Sequence, residues 1–358
     1  MMEGSHEETL RAIIEACEGR LRRRLLVRES EPHTEGTLSF VLPTSVEEVE
    51  LLSEVAERYS VALVAQGAAT TYEPGSEKGI LLVRFDLMRH TRLPVNPEEP
   101  WAEAEAGTLW LELDDVLHAR GRGLAVYPTS APRTTIGGWL AMDGLGVGSF
   151  EYGWLRENVL SVDVVLPGGK HLEVRGEELH SFVGPGGSAG IIVGAMLRTR
   201  RIYADVPFSV TFTNAEDLVS AIMGVIEVGV PLWHLGFLDP QMAYARSLGE
   251  EYLLFGAYPW ERSVAVEEGL RNIIESCGGR GLGAAEAYRV WGQRFFPVTP
   301  SRPTPDTTRE FVSVANLLVA LGGAGSRPEH IALQGAVART GEVRLLSVDT
   351  QGLGWTRA

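Results

Sequence analysis

Cysteine is almost absent from this sequence of 358 residues, in which only Cys17 and Cys277 occur, far apart and without a CxxC pair. A zinc knuckle or an ordinary iron–sulfur cluster needs more cysteine ligands than these two, so the chain by itself holds neither. So little cysteine is also typical of proteins from a reducing compartment. We therefore expect a cytoplasmic protein.

Positive charge and long apolar runs are also scarce. The formal net charge of −15 disfavours binding to nucleic acid or to an anionic membrane surface, because both need a basic face. No stretch of 18 uncharged apolar residues occurs, and the first residues lack an apolar signal-peptide core, so we expect neither a membrane span nor a signal peptide. The composition, with 44% hydrophobic and 22% charged residues, is that of a folded protein whose length suits two domains.

The first part of the chain has the pattern of a small α/β lobe. Apolar residues at helical spacing predict a charged helix over 7–28. The pattern then predicts a strand (SFVLP), a helix that begins at Thr44 or Ser45, and two strands (VALVAQG and GILLVRFD). A strand–helix–strand–strand order is typical of an α/β unit.

A second lobe follows a proline-bounded stretch at 94–100. It begins with a strand (WAEAEAG) and a helix (TLWLELDDVLHARG) that ends at Gly121. A hairpin (VLSVDVVLPGGKHLEVRG) that turns at Gly168 and Gly169 comes later, and an apolar strand (GIIVGAMLRTRRI) closes the lobe.

From residue 204 the order of elements changes. A strand, a helix, two strands and a second helix are predicted over VPFSVTFT, AEDLVSAIMGVIEVG, VPLWHLGFLD, YLLFGAYPW and RSVAVEEGLRNIIESCGG. This order is typical of a split βαβ, ferredoxin-like unit. The Pro- and Thr-rich stretch 297–308 predicts a loop.

Three segments next to predicted strands concentrate small residues: 65–75, 127–153 and 182–192. In such places backbone N–H groups can converge on phosphate oxygens without intervening side chains. The stretch 184–190 lacks the Lys-Ser/Thr pair of a Walker A loop, so it predicts no Mg-nucleotide site. The glycines of 144–148 do not have the GxGxxG spacing, so a Rossmann dinucleotide site is also not predicted.

The order of these segments resembles the two-lobed FAD domain of the vanillyl-alcohol-oxidase family, whose members are also called FAD-binding PCMH-type flavoproteins. Within this family, it most resembles the glycolate oxidase and D-lactate dehydrogenase branch. The family's first pyrophosphate loop is matched by AQGAAT at 65–70, which has alanines where the family prefers glycines. Its PRxTIGG is matched by APRTTIGG at 131–138, and its closing FVGSEGTLGII by FVGPGGSAGII at 182–192. The match extends over 38–202 and, loosely, into the region beyond.

The resemblance implies an α+β fold in three parts. A helical segment over 1–37 precedes a two-lobed FAD-binding PCMH-type domain over 38–203, with lobes at about 38–98 and 99–203. A ferredoxin-like α+β cap over 204–358, shortened at its C-terminus relative to the family, completes the chain.

The resemblance also implies FAD as cofactor and indicates which residues bind it. These are Gln66, Gly67, Ala68, Ala69, Thr70, Thr71, Pro128, Thr129, Thr134, Thr135, Gly137, Gly138, Asp143, Gly144, Gly146, Tyr152, Gly190, Ile191 and Ile192. No histidine in the loop segments matches the family's usual covalent link to the flavin. We therefore expect non-covalent FAD.

The cap is expected to supply the substrate site. A Trp-x-x-Arg helix segment of the family gives a cation for the substrate carboxylate, and Trp291 and Arg294 match it here, although a helix with an aromatic core face and a solvated arginine has the same pattern. Oxidation of a hydroxy acid needs a base, for which His234 is the candidate, while buried strand histidines are also commonly structural. The stretch EHIALQGAVARTGEVRLLS resembles the strand pair that carries the family's C-terminal metal ligands, and these histidines are missing after His330, so we expect no metal.

These features predict an FAD-dependent oxidoreductase that oxidises a small anionic 2-hydroxy acid of the glycolate or lactate type and passes electrons to a partner. The short C-terminus resembles the smaller flavin subunit of glycolate oxidase, which implies a second flavin subunit and an iron–sulfur subunit as partners. Two alternatives remain: a non-catalytic flavin or structural subunit of such a complex, and a phosphate- or nucleotide-binding protein of unrelated chemistry.

Overall fold

A computed structural model describes residues 6–21, 26–29, 39–68, 80–202, 204–296, 308–322 and 330–350. The chain divides into two compact units. Unit 1 takes its described residues from Met1–Arg120, Ala131–Asp143 and Val159–Thr199, and unit 2 from Gly121–Ser130, Gly144–Asn158 and Arg200–Ala358. Two segments of the predicted FAD-binding domain, 121–130 and 144–158, therefore belong to unit 2.

The helices and strands up to residue 201 are α1 (His6–Leu21), β1 (Leu26–Glu29), β2 (Ser39–Leu42), α2 (Val46–Arg58), β3 (Ala62–Gln66), β4 (Ile80–Arg84), β5 (Thr91–Arg92), β6 (Trp101–Glu105), α3 (Trp110–His118), β7 (Arg122–Leu124), α4 (Ile136–Met142), α5 (Ser149–Tyr152), β8 (Val159–Val165), β9 (His171–Val174) and β10 (Ile191–Arg201). Most of the predicted strands and helices of this region are present at their predicted places.

The later elements are β11 (Asp205–Phe212), α6 (Ala215–Val228), β12 (His234–Leu238), α7 (Pro240–Ala245), β13 (Tyr252–Pro259), α8 (Ser263–Ser276), β14 (Arg280–Gly281), α9 (Ala284–Gly292), β15 (Thr308–Ser313), α10 (Val314–Ala320), β16 (Ile331–Val337) and β17 (Glu342–Asp349). Among the described residues, no helix has both the length and the hydropathy needed to cross a membrane.

The predicted N-terminal helix over 7–28 is wrong at its C-terminal end. The helix stops at Leu21, and Leu26–Glu29 form β1, which pairs antiparallel with β2. Ladder hydrogen bonds to another strand stabilise an extended backbone, and such tertiary pairing overrides local helical spacing. Apolar spacing in the sequence alone does not reveal this pairing.

Unit 1 contains two sheets. The first has the order β1-β2-β4-β3, in which β4 runs parallel to both β2 and β3, and α2 covers it with Val49, Leu52 and Val55 buried. The second has the order β5-β6-β10-β8-β9, in which neighbouring strands are antiparallel. The predicted hairpin is confirmed, because β8 pairs with β9 across the turn at Gly168 and Gly169.

Unit 2 is built on one antiparallel sheet with the order β14-β11-β13-β12-β16-β17-β15. The first four strands across this sheet are β14, β11, β13 and β12, which are the fourth, first, third and second of the four along the chain. Helix α6 connects β11 to β12, and α8 connects β13 to β14. This arrangement confirms the ferredoxin-like part of the α+β fold. The predicted strand pair is also confirmed, because β16 pairs with β17. It lengthens the sheet beyond β12 through pairing of β12 with β16.

Helices cover both faces of this sheet. On one face Leu254 packs in a cluster with apolar residues of α6, α8 and α10. Its neighbours on β13, Leu253 and Phe255, belong to a second cluster that includes residues of α7 and α9. Alternate strand residues point to opposite faces, so the two clusters are the two halves of the core of unit 2.

Candidate functional site

A cavity of about 350 Å³ lies in unit 1 where the end of β3, the start of α4 and the start of β10 meet. Its lining includes these predicted flavin-binding residues: Gln66, Gly67, Thr135, Gly137, Gly138, Gly190, Ile191 and Ile192. It also includes residues that were not among them: Leu63, Val64, Ala65, Phe85, Ala106, Ala141, Gly186, Gly187 and Ser188. Each of the three small-residue segments thus contributes to the same cavity.

Gly67 brings the end of β3 into backbone contact with the first turn of α4. Thr135 is the N-cap of this helix, and its Oγ1 accepts a hydrogen bond from Gly138 N–H at 3.2 Å. A Cβ on Gly67 would lie 2.8 Å from Thr135 Oγ1 and 3.2 Å from Gly138 Cα. Because there is no room for a side chain at residue 67, this wall of the cavity is formed by backbone.

The N–H groups of the first turn of α4 already have acceptors within the protein. Those of Ile136 and Gly137 donate to backbone carbonyls at 2.8 and 2.9 Å, and that of Gly138 donates to Thr135 Oγ1. The turn therefore offers a ligand its close backbone and the hydroxyl of Thr135, which still has a proton to donate after accepting one bond.

A glycine loop closes another side of the cavity. Gly184 N–H donates to Leu140 C=O at 3.0 Å, and Gly186 N–H to Ala141 C=O at 2.7 Å, so the loop is fastened to α4. Gly186 and Gly187 have φ values of 70° and 79°, and a Cβ on either would meet no atom within 4 Å. This conformation favours glycine, and it leaves bare backbone beside open space.

The chemistry of the lining combines apolar and neutral polar groups. None of the described residues that line the cavity is charged; Leu63, Phe85 and Ile191 are apolar, and Gln66 and Thr135 are polar. Close backbone with hydroxyl and amide groups suits phosphate oxygens, and an apolar wall suits a flat ring system. The residues present therefore fit a cofactor that has both, such as FAD.

Other predicted flavin-binding residues of unit 1 do not line this cavity. Ala68 is exposed, Thr134 is buried with its carbonyl accepting a hydrogen bond from Trp110 N–H, and Asp143 is buried with a φ of 50°. Ala69, Thr70 and Thr71 lie outside the described residues.

The remaining predicted flavin-binding residues belong to unit 2: Pro128, Thr129, Gly144, Gly146 and Tyr152. Thr129 C=O accepts a hydrogen bond from Phe296 N–H at 2.7 Å, and Gly146 N–H donates to Ser149 Oγ at 2.8 Å. Tyr152 C=O accepts from the side-chain amide of Asn158. These bonds hold the two segments in unit 2.

Arg294 of unit 2 follows α9, which ends at Gly292, so it lies beyond the helix that the Trp-x-x-Arg match implied. Its guanidinium carbon lies 4.6 Å from the centre of the Trp291 ring and 4.3 Å from that of Phe295. Nε–H donates to Tyr127 Oη at 3.1 Å. All these partners are neutral, and in the described part of the chain no carboxylate pairs with Arg294.

His234 begins β12 and is 1% exposed. Its Nδ1 accepts a hydrogen bond from Gly148 N–H at 3.4 Å, which assigns the ring proton to Nε2. Burial, and then the positive charge of Arg294, lower its pKa to about 3. The ring also packs against Trp291, with centroids 5.8 Å apart. His234 is thus a neutral imidazole beside the two other predicted catalytic residues.

Some lining residues carried a usable sequence signal and others did not. Gly186, Gly187 and Ser188 lie inside the small-residue segment 182–192 and could have been named from it. Leu63 and Phe85 look like ordinary core residues in the sequence, because an apolar residue at a strand end is equally suited to packing. Among the described residues no group of three or more His, Cys, Asp or Glu side chains could hold a metal ion.

Comparison with protein families indicates the same kind of cofactor as the lining of the cavity does. The model of the FAD binding domain family matches residues 37–175. A D-lactate dehydrogenase of Archaeoglobus fulgidus is 28% identical over 205 residues, which are 54% of this chain and 45% of the relative. A D-2-hydroxyglutarate dehydrogenase of Escherichia coli is 33% identical over 141 residues, 38% of this chain and 14% of the relative. The chain thus spans less than half the length of either relative.

Solved structures show the same fold over most of the chain. An alkyldihydroxyacetonephosphate synthase has a TM-score of 0.69 and 22% identity, covering 86% of this chain and 67% of its own. A 4-ethylphenol oxidase from Gulosibacter chungangensis has a TM-score of 0.68 and 16% identity, covering 98% and 84%. These likenesses confirm the fold, and the FAD binding domain family that matches residues 37–175 confirms the resemblance to the PCMH-type flavoproteins. Together with the related dehydrogenases, this match supports FAD as the cofactor.

Proposed function

We propose that the protein is an FAD-dependent oxidoreductase that oxidises a small D-2-hydroxy acid to the corresponding 2-oxo acid. The observation that carries the proposal is the Arg294 guanidinium, which packs against two aromatic rings with only neutral partners among the described residues. Such a group is suited to a carboxylate, since it forms two parallel charge-assisted hydrogen bonds. The two dehydrogenases with related sequences support a hydroxy acid as the source of that carboxylate.

FAD is proposed to bind in the cavity of unit 1. Gly187, beside which there is open space, would admit its phosphates to the backbone, and the hydroxyl of Thr135 would donate to a phosphate oxygen. For the residues from Ala68 to Thr71 and for the five in unit 2, contact with FAD stays a prediction. The described residues that line the cavity include no histidine and no cysteine, which supports the proposal that the flavin is held non-covalently.

When bound, FAD supplies a two-electron acceptor for the hydride from the carbon that bears the substrate hydroxyl. The protein's own part is proposed to be binding and orientation. Arg294 holds the carboxylate, while Trp291 and Phe295 exclude water from the guanidinium and confine the small substrate. The hydroxyl proton needs a base, and a buried imidazole with a pKa of about 3 is a poor one. His234 therefore fits a positioning role beside Trp291 better than the predicted role as base.

Electrons are proposed to leave to a separate protein. With only Cys17 and Cys277, the chain lacks the four thiolates of an ordinary iron–sulfur cluster. An iron–sulfur subunit, together with a second flavin subunit, stays the predicted partner, and the cytoplasm stays the predicted location.

The test is anaerobic reduction of the purified, FAD-loaded protein by single hydroxy acids. D-lactate and D-2-hydroxyglutarate should bleach the flavin absorbance, and their L-enantiomers should not. Glycolate, which has no stereocentre, tests whether a substrate with no further carbon is accepted. Reduction by dithionite in a parallel sample shows that the flavin is redox-competent. A flavin that dithionite bleaches and that no hydroxy acid reduces contradicts the proposal and favours a non-catalytic subunit.

A further inference from the structure

Arg246 is a buried guanidinium, 8% exposed, whose partners lie next to Arg294 in the chain. One terminal nitrogen donates to the backbone carbonyl of Gln293, and the other donates to Gln334 Oε1 at 2.6 Å. Gln334 lies on β16 and is 2% exposed, and its Nε2 donates to the backbone carbonyl of Arg294 at 2.8 Å. One buried cation therefore holds two successive carbonyls, one directly and one through an amide.

These two carbonyls follow the end of α9, where a helix leaves carbonyl groups without partners of its own. The next anchor is two residues further on, where Phe296 N–H donates to Thr129 C=O at 2.7 Å. The backbone on both sides of the Arg294 side chain is thus fixed by Arg246 at the C-terminal end of α7, by β16 and by the 121–130 segment. Fixing the backbone fixes the point from which the guanidinium projects.

We propose that Arg246 and Gln334 are positioning residues that aim the guanidinium of Arg294 at the substrate carboxylate. The inference rests on the proposed function, because it takes Arg294 as the residue that binds the carboxylate. Two parallel hydrogen bonds require a guanidinium held within a fraction of an ångström and a narrow range of angles. A surface arginine needs no such buried support for its backbone.

Gln334 is suited to this place because it has both an acceptor and a donor. Arginine can only donate, so Oε1 must face Arg246 and Nε2 must face the carbonyl of Arg294. Gln334→Glu keeps the acceptor for Arg246 and adds an ion pair with it. It loses the donor to Arg294 and sets a carboxylate oxygen against a carbonyl oxygen. The variant therefore retains the support of Arg246 while it disturbs the position of Arg294.

The experiment measures binding of labelled oxalate, a dicarboxylate with no oxidisable hydroxyl, by equilibrium dialysis with the FAD-loaded protein. Gln334→Glu should weaken binding about tenfold, because one buried hydrogen bond is lost and its carbonyl is left unsatisfied. In an Arg294→Ala background the same change should have no further effect, because the residue through which Gln334 acts is gone. Gln334→Met, of similar size and without hydrogen-bonding groups, serves as a second variant.

Arg280→Gln is the matched control, since it also lowers the net charge by one. Arg280 lies in unit 2, is exposed and pairs with Glu251 at 2.8 Å. The Arg280→Gln variant should bind oxalate as tightly as the wild type does. The lost hydrogen bond lowers the melting temperature of Gln334→Glu and the new ion pair with Arg246 partly restores it, so the variant should stay folded at the assay temperature, which separates a positioning effect from general loss of structure.

Three results would overturn the positioning role: unchanged oxalate binding in Gln334→Glu, an equal loss with and without Arg294, or a wild type that binds neither oxalate nor D-lactate. A wild type that binds oxalate with the expected pattern in the variants, and whose flavin no hydroxy acid reduces, supports the positioning role. It contradicts only the proposed oxidation.

Discussion

Gly67 and Gly138 hold β3 and α4 at backbone contact, since a Cβ on Gly67 would lie 3.2 Å from Gly138 Cα. The same Cβ would lie 2.8 Å from Thr135 Oγ1, the atom that caps α4. Both neighbours belong to the first turn of a helix that is pinned by hydrogen bonds to the rest of unit 1. The position of this turn leaves little freedom to accept even a methyl group.

Gly67→Ala is expected to impair flavin binding. Relieving the clash must push β3 away from α4 or turn the Thr135 hydroxyl, and overpacking of this kind costs about 1–3 kcal/mol. If the strain falls on the flavin-bound form, the dissociation constant for FAD rises about tenfold or more. Titration of the apoprotein with FAD, followed by flavin fluorescence, measures it. Gly19→Ala, on α1 with nothing within 4 Å, is the control and should bind FAD normally.

The flavin is expected to leave the protein on denaturation. We expect this because none of the described residues that line the cavity is a cysteine or a histidine. After acid precipitation the absorbance of FAD should appear in the supernatant. Yellow colour in the washed pellet would show a covalent bond between flavin and protein and would contradict this prediction.

Arg294→Lys is expected to weaken substrate binding while the flavin content stays constant. Lysine keeps the positive charge but loses the planar fork that makes two parallel bonds to a carboxylate. The loss of one charge-assisted bond, about 1.5–3 kcal/mol, raises the half-saturating concentration of a hydroxy acid about tenfold to a hundredfold. Anaerobic bleaching against substrate concentration gives this value. Identical curves for wild type and variant would show that Arg294 does not contact the substrate.

His234 is expected to make unfolding sensitive to acid. Its pKa is lowered by burial, and next by Arg294, from 6.5 to about 3, so the unfolded chain takes up a proton below pH 6.5 that the folded protein refuses. The contribution of His234 to the free energy of unfolding is therefore largest above pH 6.5 and falls as the pH drops toward 3. Between pH 7 and pH 5 the loss should be about 2 kcal/mol.

Denaturant unfolding of wild type and His234→Asn at both pH values measures this contribution. Asparagine retains an acceptor for Gly148 N–H and does not titrate. The difference in the free energy of unfolding between wild type and variant should therefore shrink as the pH falls. A constant difference across this range would show that His234 does not have the lowered pKa.

The cavity illustrates how far local sequence patterns reach. The three small-residue segments were recognisable because glycine and alanine are unusual next to so many strands, and each supplies part of the lining. The role of Gly137 was not recognisable. Its N–H is consumed by the carbonyl of Ala106, so it serves close packing where a donor to phosphate was expected. The acceptor for this N–H, the carbonyl of Ala106, lies just after β6 and is distant in the chain, and a local pattern carries no such information.

The sequence by itself determined the order of strands and helices, including the ferredoxin-like order in unit 2, because periodicity is a local property of the chain. The α+β fold with its FAD binding domain followed from the resemblance of the sequence to a known family. Only the tertiary structure decided that 121–130 and 144–158 belong to unit 2. It also decided that Gln334, forty residues after Arg294, holds its carbonyl. The reason is physical: these outcomes depend on which buried polar groups meet, and each such group takes whatever partner the folded chain brings within hydrogen-bond distance.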